Sequence, residues 1–215
     1  MGPLPTPAAW QAALEARHGQ ALQAKFSAAT VAICGLGGLG SHLALSLARA
    51  GVGKLILLDF DRVDLTNLHR QQYKASQIGQ PKALALADNL REANPYLALE
   101  PHVVRVTEDN LAPLLAEATL VCEAFDQAEA KAMLVNAVLE RFPEKFLVAA
   151  SGMAGLGSAN AITTRRVSRR FYLCGDGVSD VADGLGLVAS RVAVCAGHQA
   201  HMVLRLLAEE YEPGI

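Results

Sequence analysis

A short set of glycines, cations and carboxylates carries whatever chemistry this sequence can do. Gly35, Gly37 and Gly40 form a G-x-G-x-x-G string, with Gly38 as a further glycine inside it. In such a string the first glycine permits a tight turn and the second lets backbone N–H groups approach a phosphate. The third allows a helix to pack closely on a strand. Asp59 lies 19 residues beyond Gly40, where a nucleotide-binding βαβ unit places a carboxylate to accept ribose hydroxyls. Lys82 follows Pro81 at the start of a helical pattern, so its ammonium meets the positive end of the helix dipole at a cost of roughly 0.3–1 kcal/mol. A nucleotide phosphate would compensate it; a solvated surface lysine is the plainer reading. Arg70 reads either as an arginine tying down a long loop or as a planar, permanently charged phosphate clamp. Asp126, in Asp126-Gln-Ala-Glu129, reads equally as a helix cap and as an oxygen ligand that holds a magnesium ion (Mg²⁺) beside phosphates.

The elements that would position these side chains follow from the pattern of apolar residues. Val31 to Cys34 is a short β-type run, the glycine string turns it, and a helical pattern occupies Ser41 to Arg49. Lys54 to Asp59 is a second strand. The following polar connection, Phe60 to Lys82, is long for a compact fold, but Leu65, Leu68, Tyr73 and Ile78 make it too apolar for disorder; it reads as a folded active-site segment. Ahead of this unit, one helix is predicted over Ala8 to Lys25. After it come a helix from Pro81 to Ala93, a strand over Leu97–Val106, a short helix over Asp109–Glu117, a strand at Thr119 to Ala124, a helix to Arg141, and a strand at Phe146 to Ala150. A second glycine-rich turn begins at Ser151. Two antiparallel strands are then expected over Ala159–Thr164 and Arg170–Leu173, followed by a Gly/Asp-rich loop from Gly175 to Gly186. A final helix over Leu187–Glu209, apolar nearly all round, is expected to be deeply buried or to form a subunit interface. The alternation of β and α predicts an α/β fold: a Rossmann-like, doubly wound, mostly parallel sheet extended by antiparallel strands. Residues 1–215 form one domain in this reading, with an N-terminal helix at 1–29, a nucleotide-binding core at 30–150 and an extension at 151–215. Asp59, Asp126 and Ser151 all fall at carboxyl ends of strands, the ligand edge of such a sheet.

Composition removes several function classes. A hydrophobic content of 52% and a formal charge of −2 describe a chain with a substantial core and no general coat for nucleic acid. No long uninterrupted apolar run indicates a membrane span, and the first residues carry no basic segment followed by an apolar core. Cys34, Cys122, Cys174 and Cys195 form no C-x-x-C pair and read as free thiols in a reducing cytoplasm. Arg165, Arg166, Arg169 and Arg170 form a basic cluster, either a charged edge strand or a docking patch for an acidic protein or RNA. Asp176, Asp180 and Asp183 lack EF-hand spacing, and their segment is expected to be a mobile loop without metal.

Two cations and a possible Mg²⁺ ligand fit ATP better than a nicotinamide, because bringing a carboxylate to the α-phosphate joins two anions and needs electrostatic clamps. The residues Gly35-LGGLGS, Leu57-LDFDRVDLTNLHRQ, Gly79-QPK and Ala124-FDQAEAK together resemble the ThiF/MoeB/HesA superfamily of ubiquitin-activating-type adenylyltransferases, over about residues 15 to 210. The D-x-D-x-V-x-x-x-N-x-x-R-Q string from Asp59 to Gln71 is its most specific part. The resemblance implies the ubiquitin-activating-enzyme-type fold and adenylation, by Mg·ATP, of the C-terminal carboxylate of a ubiquitin-like sulfur carrier ending in Gly-Gly. By the same resemblance the glycine loop holds the nucleotide with Asp59 and Asp61, and Asn67, Arg70 and Lys82 contact the phosphates. Asp126 binds Mg²⁺ and is catalytically required, and the protein is a homodimer in which Arg17 reaches the partner's phosphates. The chain lacks the two C-x-x-C pairs that bind zinc in many relatives, so no zinc is expected. It shows no clear acceptor cysteine, Cys174 being the least implausible. This compact form resembles a short ThiF subgroup of thiamine thiazole synthesis acting on a ThiS-like carrier. Other readings are a MoaD-like carrier, a tRNA-borne carboxylate, an NAD(P)-dependent oxidoreductase, and a non-catalytic nucleotide-binding scaffold.

Overall fold

A computed structural model describes residues 4–184 and 186–212. The elements run α1 (Pro7–His18), α2 (Gln20–Ala28), β1 (Thr30–Cys34), α3 (Gly38–Ala50), β2 (Lys54–Asp59), α4 (Lys82–Ala93), β3 (Ala98–Val103), α5 (Leu111–Leu115), β4 (Leu120–Glu123), α6 (Ala128–Arg141), β5 (Phe146–Ala150), β6 (Thr163–Arg166), β7 (Phe171–Gly175) and α7 (Ala189–Leu207). The strands form a seven-stranded sheet in the order β3-β2-β1-β4-β5-β7-β6. Strand residues alternate between two apolar layers. Val31, Ile33, Leu55 and Leu57 pack with α3, α4 and α7, while Ala32, Cys34, Ile56 and Leu58 pack with α5 and α6 on the opposite face. That two-sided burial explains the continuous apolar runs in β1, β2 and β4.

The ladder is parallel from β3 through β7, and only the β6–β7 pair is antiparallel. The expected antiparallel extension is therefore one edge strand. Both edges are guarded: β3 contains Pro101, which cannot donate to a further strand, and β6 ends in Arg165 and Arg166. The chain leaves β1 toward β2 and β3, and later returns to add β4 on the other side. The β1/β4 boundary is the topological switch point where ligands bind in such sheets.

Several local expectations need correction. The N-terminal segment is two helices, because Gly19 takes φ 82° between them and breaks the ladder. Residues Ala159–Ala161 form a single helical turn capped by Ser158, so β6 starts only at Thr163. Helix α7 is amphipathic rather than apolar all round: Val192, Cys195, Met202, Val203 and Leu206 face the core, whereas Ser190, Gly197 and His201 are exposed. The Gly175–Gly186 segment is fastened in its first half. Asp176 accepts from the amides of Val178 and Ser179 and pairs with buried Arg191 at 2.7 Å. Burial alone would raise the Asp176 carboxyl; those amides and the guanidinium outweigh it and hold the group well below the usual carboxylate range.

Candidate active site

The carboxyl edge around β1 is built by the glycine turn. Gly35 has φ 93°, and a Cβ there would meet the Ala124 carbonyl oxygen at 2.6 Å. A Cβ on Gly40 would lie 1.9 Å from the Gly35 oxygen, so the turn and the helix close only without side chains. Gly37 differs. A Cβ there would make only an ordinary 3.6 Å contact with Gln71 Nε2, so packing within the chain does not demand glycine at this position, and the surface above it is open to a ligand. Helix α3 starts immediately after, with no side-chain cap and no acid in its first turn. Its free N–H donors and partial positive charge are the features that favour an anion at a helix start.

Asp59 is buried at the end of β2. One carboxylate oxygen accepts from Leu36 N at 2.7 Å and the other from Asp61 N at 2.7 Å. Burial pushes this carboxyl upward, and the two amides and Lys82 partly offset that. The group fixes the glycine turn and retains lone pairs for further donors. Tyr73 fastens the same turn by donating to the Leu36 carbonyl at 2.7 Å.

The long connection is folded, as expected. Its ends meet through the Arg62–Pro81 bridge, and Val63 N donates to Gln80 O while Lys82 N donates to Asp61 O. It carries Asn67 and Arg70 to the start of α3, where Arg70 Cγ and O lie 3.6 and 3.5 Å from a Cβ built on Gly38. Arg70 Nη2 donates to Asn67 Oδ1 at 2.9 Å, while its buried Nε has no partner among the described residues. The Asn67 bond ties the loop down, and the unpartnered Nε leaves a donor for the clamping reading. Gln71, 8% exposed, brings its amide nitrogen beside Gly37, and its amide oxygen has no partner among the described residues.

Lys82 is not a solvated surface lysine. It is buried, and its ammonium pairs with Asp61 at 3.0 Å. The compensating anion expected from the helix dipole is Asp61 in the nucleotide-free chain, and Asp61 is the half-exposed member of the pair.

On the other side of β1, Asp126 follows β4. It does not cap α6: the N-cap position is Gln127, with no side-chain cap bond. Asp126 is exposed and forms no ion pair with a described residue. Glu123, three residues earlier, is fully buried. It accepts from Phe125 N at 2.7 Å and pairs with Lys131 through both oxygens at 3.1 Å. Sequence reading passed over this pair; a charged residue closing the apolar run of β4, with a lysine eight residues on, was the signal available. Arg17 is exposed on α1, and α1 packs against Gly51 at the far end of α3 through Leu14. Since α3 has 13 residues, that end lies about 20 Å from the glycine turn at 1.5 Å per residue. Within one chain Arg17 does not join the site.

The four cysteines are free and buried. Burial pushes the Cys174 thiol up to about 11 and Cys195 up to about 12, and raises Cys34 and Cys122 as well. Cys174 is thus a poor nucleophile where it stands. Among the described residues no group of three or more acids, histidines or cysteines is arranged to hold a metal, and no helix is long and apolar enough to cross a membrane.

A family model described as ThiF family matches residues 10–214. The chain belongs to the ThiF family. It is 31% identical over 192 residues to the molybdopterin-synthase adenylyltransferase of Salmonella typhimurium, an alignment covering 86% of this chain and 75% of that one. The sulfur carrier protein adenylyltransferase of Thermus thermophilus is 35% identical over 118 residues, covering 54% of this chain and 44% of that protein. These ThiF relatives place the chain among adenylyltransferases, as the motifs implied. Among solved structures, Escherichia coli tRNA N6-threonylcarbamoyladenosine dehydratase, TcdA, in complex with AMP superposes with a TM-score of 0.84 at 22% identity, covering 97% of this chain and 98% of that one. That likeness fixes the fold.

Proposed function

We propose that this ThiF-family chain adenylates the C-terminal glycine carboxylate of a ubiquitin-like sulfur carrier protein, consuming ATP and releasing pyrophosphate, with a ThiS-like carrier of thiamine thiazole synthesis as the substrate. The observation that carries the reading is the convergence at one sheet edge. An uncapped helix N-terminus and two cations, Arg70 and Lys82, lie on one side of the glycine turn, and an unpaired carboxylate, Asp126, lies on the other. In the reaction a carrier carboxylate oxygen bonds to the α-phosphorus while the bond from that phosphorus to the β-phosphate bridge breaks. Amides at the start of α3 and the Arg70 guanidinium bind the phosphate oxygens, Asp59 holds the ribose, and Lys82 exchanges Asp61 for a phosphate.

The donor set suits Mg²⁺, which is typically held by one or two carboxylates together with substrate phosphates rather than by an all-protein cage. Asp126 is the carboxylate that would hold it. When bound, the ion supplies charge neutralisation at the phosphates. A homodimer in the cytoplasm completes the proposal, with Arg17 reaching a partner's site because it does not reach its own.

ATP-bound TcdA is similar in structure over nearly the whole chain, which supports ATP as the nucleotide and keeps a tRNA-borne carboxylate as the competing substrate. The arginine hairpin speaks against RNA. Arg166 is paired with Glu212 and Arg170 with the Glu144 carbonyl, so half the cluster is already engaged within the chain. Exchange of labelled pyrophosphate into ATP decides between them. Exchange is expected to require a carrier ending in Gly-Gly, with the Thermus carrier as probe. Exchange with tRNA instead, or none with either, contradicts the proposal.

A further inference from the structure

Asp126 stands on a turn whose backbone, rather than its own side chain, fixes its place. Three contacts hold that turn. Ala124 N donates to Cys34 O at 2.8 Å, continuing the β1 ladder. The Ala124 carbonyl packs against Gly35 so closely that no side chain fits there. Glu123 folds its carboxylate back onto Phe125 N at 2.7 Å. The third contact is an unusual choice. Glu123 is 1% exposed, and an ionised acid is costly in such a place when a neutral acceptor would satisfy one amide.

Lys131 accounts for it. This residue lies in the first turn of α6, where a cation opposes the helix dipole. Its ammonium nonetheless meets both Glu123 oxygens at 3.1 Å and donates to Ala150 O, the last residue of β5, at 3.1 Å. Gln199 of α7 adds a bond to the Glu123 carbonyl at 3.0 Å. The ammonium thus ties the end of β4, the first turn of α6 and the end of β5 into one unit, and Asp126 lies on the loop those three points enclose. Buried ion pairs are seldom the most stable filling for an interior. What this pair offers that an apolar filling does not is a defined position for the turn.

We propose that Lys131, acting through Glu123, is a positioning residue for Asp126. The inference rests on the adenylation reading in assigning Asp126 its task. Replacing Lys131 with Met removes the ammonium while keeping the aliphatic stem. The turn then loosens: kcat for carrier-dependent exchange falls roughly 10- to 100-fold, since small misplacements of a reacting group cost that much. The KM for ATP, set at α3, Arg70 and Lys82, stays within about threefold. Lys131→Arg restores most of kcat, because a guanidinium reaches the same acceptors. Should Lys131→Met fail to fold, the double variant Glu123→Gln, Lys131→Met leaves no unpaired charge inside and is expected to show the same loss of kcat. A second readout needs no turnover. Amide exchange at Phe125 and Asp126 in the nucleotide-free protein is expected to quicken by about tenfold in the Met variant and return in the Arg variant. Wild-type kcat together with unchanged amide protection in a folded variant lacking the ammonium overturns the positioning role. A wild-type protein that exchanges no pyrophosphate overturns the adenylation reading instead, and the amide readout still decides the role of Lys131.

Discussion

Two lysines flank the glycine turn in a nearly symmetric way and differ in one respect that sorts their tasks. Strands β2 and β4 are the two neighbours of β1. Each ends in or just before an acid that pairs with a lysine in the first turn of the following helix: Asp61 with Lys82 beyond β2, Glu123 with Lys131 beyond β4. In the first pair the lysine is covered and the acid open, with side chains 7% and 45% exposed. In the second the order is reversed, at 25% for the lysine and 1% for the acid. An exposed acid can give way to an incoming phosphate at little cost, because water solvates it when released. A buried acid cannot, because nothing solvates it once its cation leaves. The β2 side is therefore exchangeable and the β4 side permanent. On the proposed reading one side binds the nucleotide and the other holds the geometry.

Stability shows the difference most strongly. Lys131→Met leaves Glu123 buried without its cation and is expected to cost about 3–5 kcal/mol, which lowers the melting temperature by roughly 10 °C for a chain of this size. Lys82→Met leaves its acid half-exposed and costs at most about 1 kcal/mol. Thermal unfolding of both variants measures this, and equal losses would erase the distinction. Nucleotide affinity should reverse the ranking. Lys82→Met is expected to weaken ATP binding by roughly 1.5–3 kcal/mol, the worth of a charged hydrogen bond, while Lys131→Met leaves it nearly unchanged; calorimetric titration checks both. A smaller effect sharpens the exchangeable side. Asp61→Asn removes the competing anion, so ATP binds up to about fivefold tighter, an effect of roughly 1 kcal/mol. Weaker binding would show that Asp61 itself contacts the nucleotide, as the family resemblance implies.

The Arg191–Asp176 pair belongs with the permanent class, since its side chains are 6% and 12% exposed. Because the folded chain holds the Asp176 carboxyl low, its stabilising effect is complete at neutral pH. That effect is lost only as pH falls below the ordinary aspartate value of about 4. The melting-temperature gap between wild type and Asp176→Asn should therefore be full at pH 7 and shrink in acid. A gap that grows in acid would contradict the pairing.

How much of this the sequence disclosed follows from what kind of signal each feature leaves. The β1–turn–α3 unit, Asp59 and the folded connection were legible because glycine spacing and apolar runs are local. The break at Gly19 was missed because the apolar points Leu14, Leu22 and Phe26 continue across it, while the positive φ leaves no trace in periodicity. Lys82 falls on its helix as the pattern predicts, but the anion it meets within the chain leaves no local trace: the carboxylate of Asp61 comes from 21 positions earlier and meets it only once the connection closes. Glu123 and Lys131 leave only a faint signal for a similar reason. A lone acid at the end of an apolar strand looks like a strand terminus until β1, β5 and α7 are packed around it. Asp126 was ambiguous between cap and ligand, and only the helix boundary at Gln127 separates the two.

On the proposed reading Asp126 acts in chemistry, at an edge whose other residues bind the nucleotide. Pyrophosphate exchange and ATP binding, measured side by side on Asp126→Asn with a Gly-Gly carrier, test it most directly. Exchange is expected to fall on the order of 100-fold or more, with ATP affinity within about threefold of wild type. Exchange at the wild-type rate in a variant that still binds ATP would contradict the account.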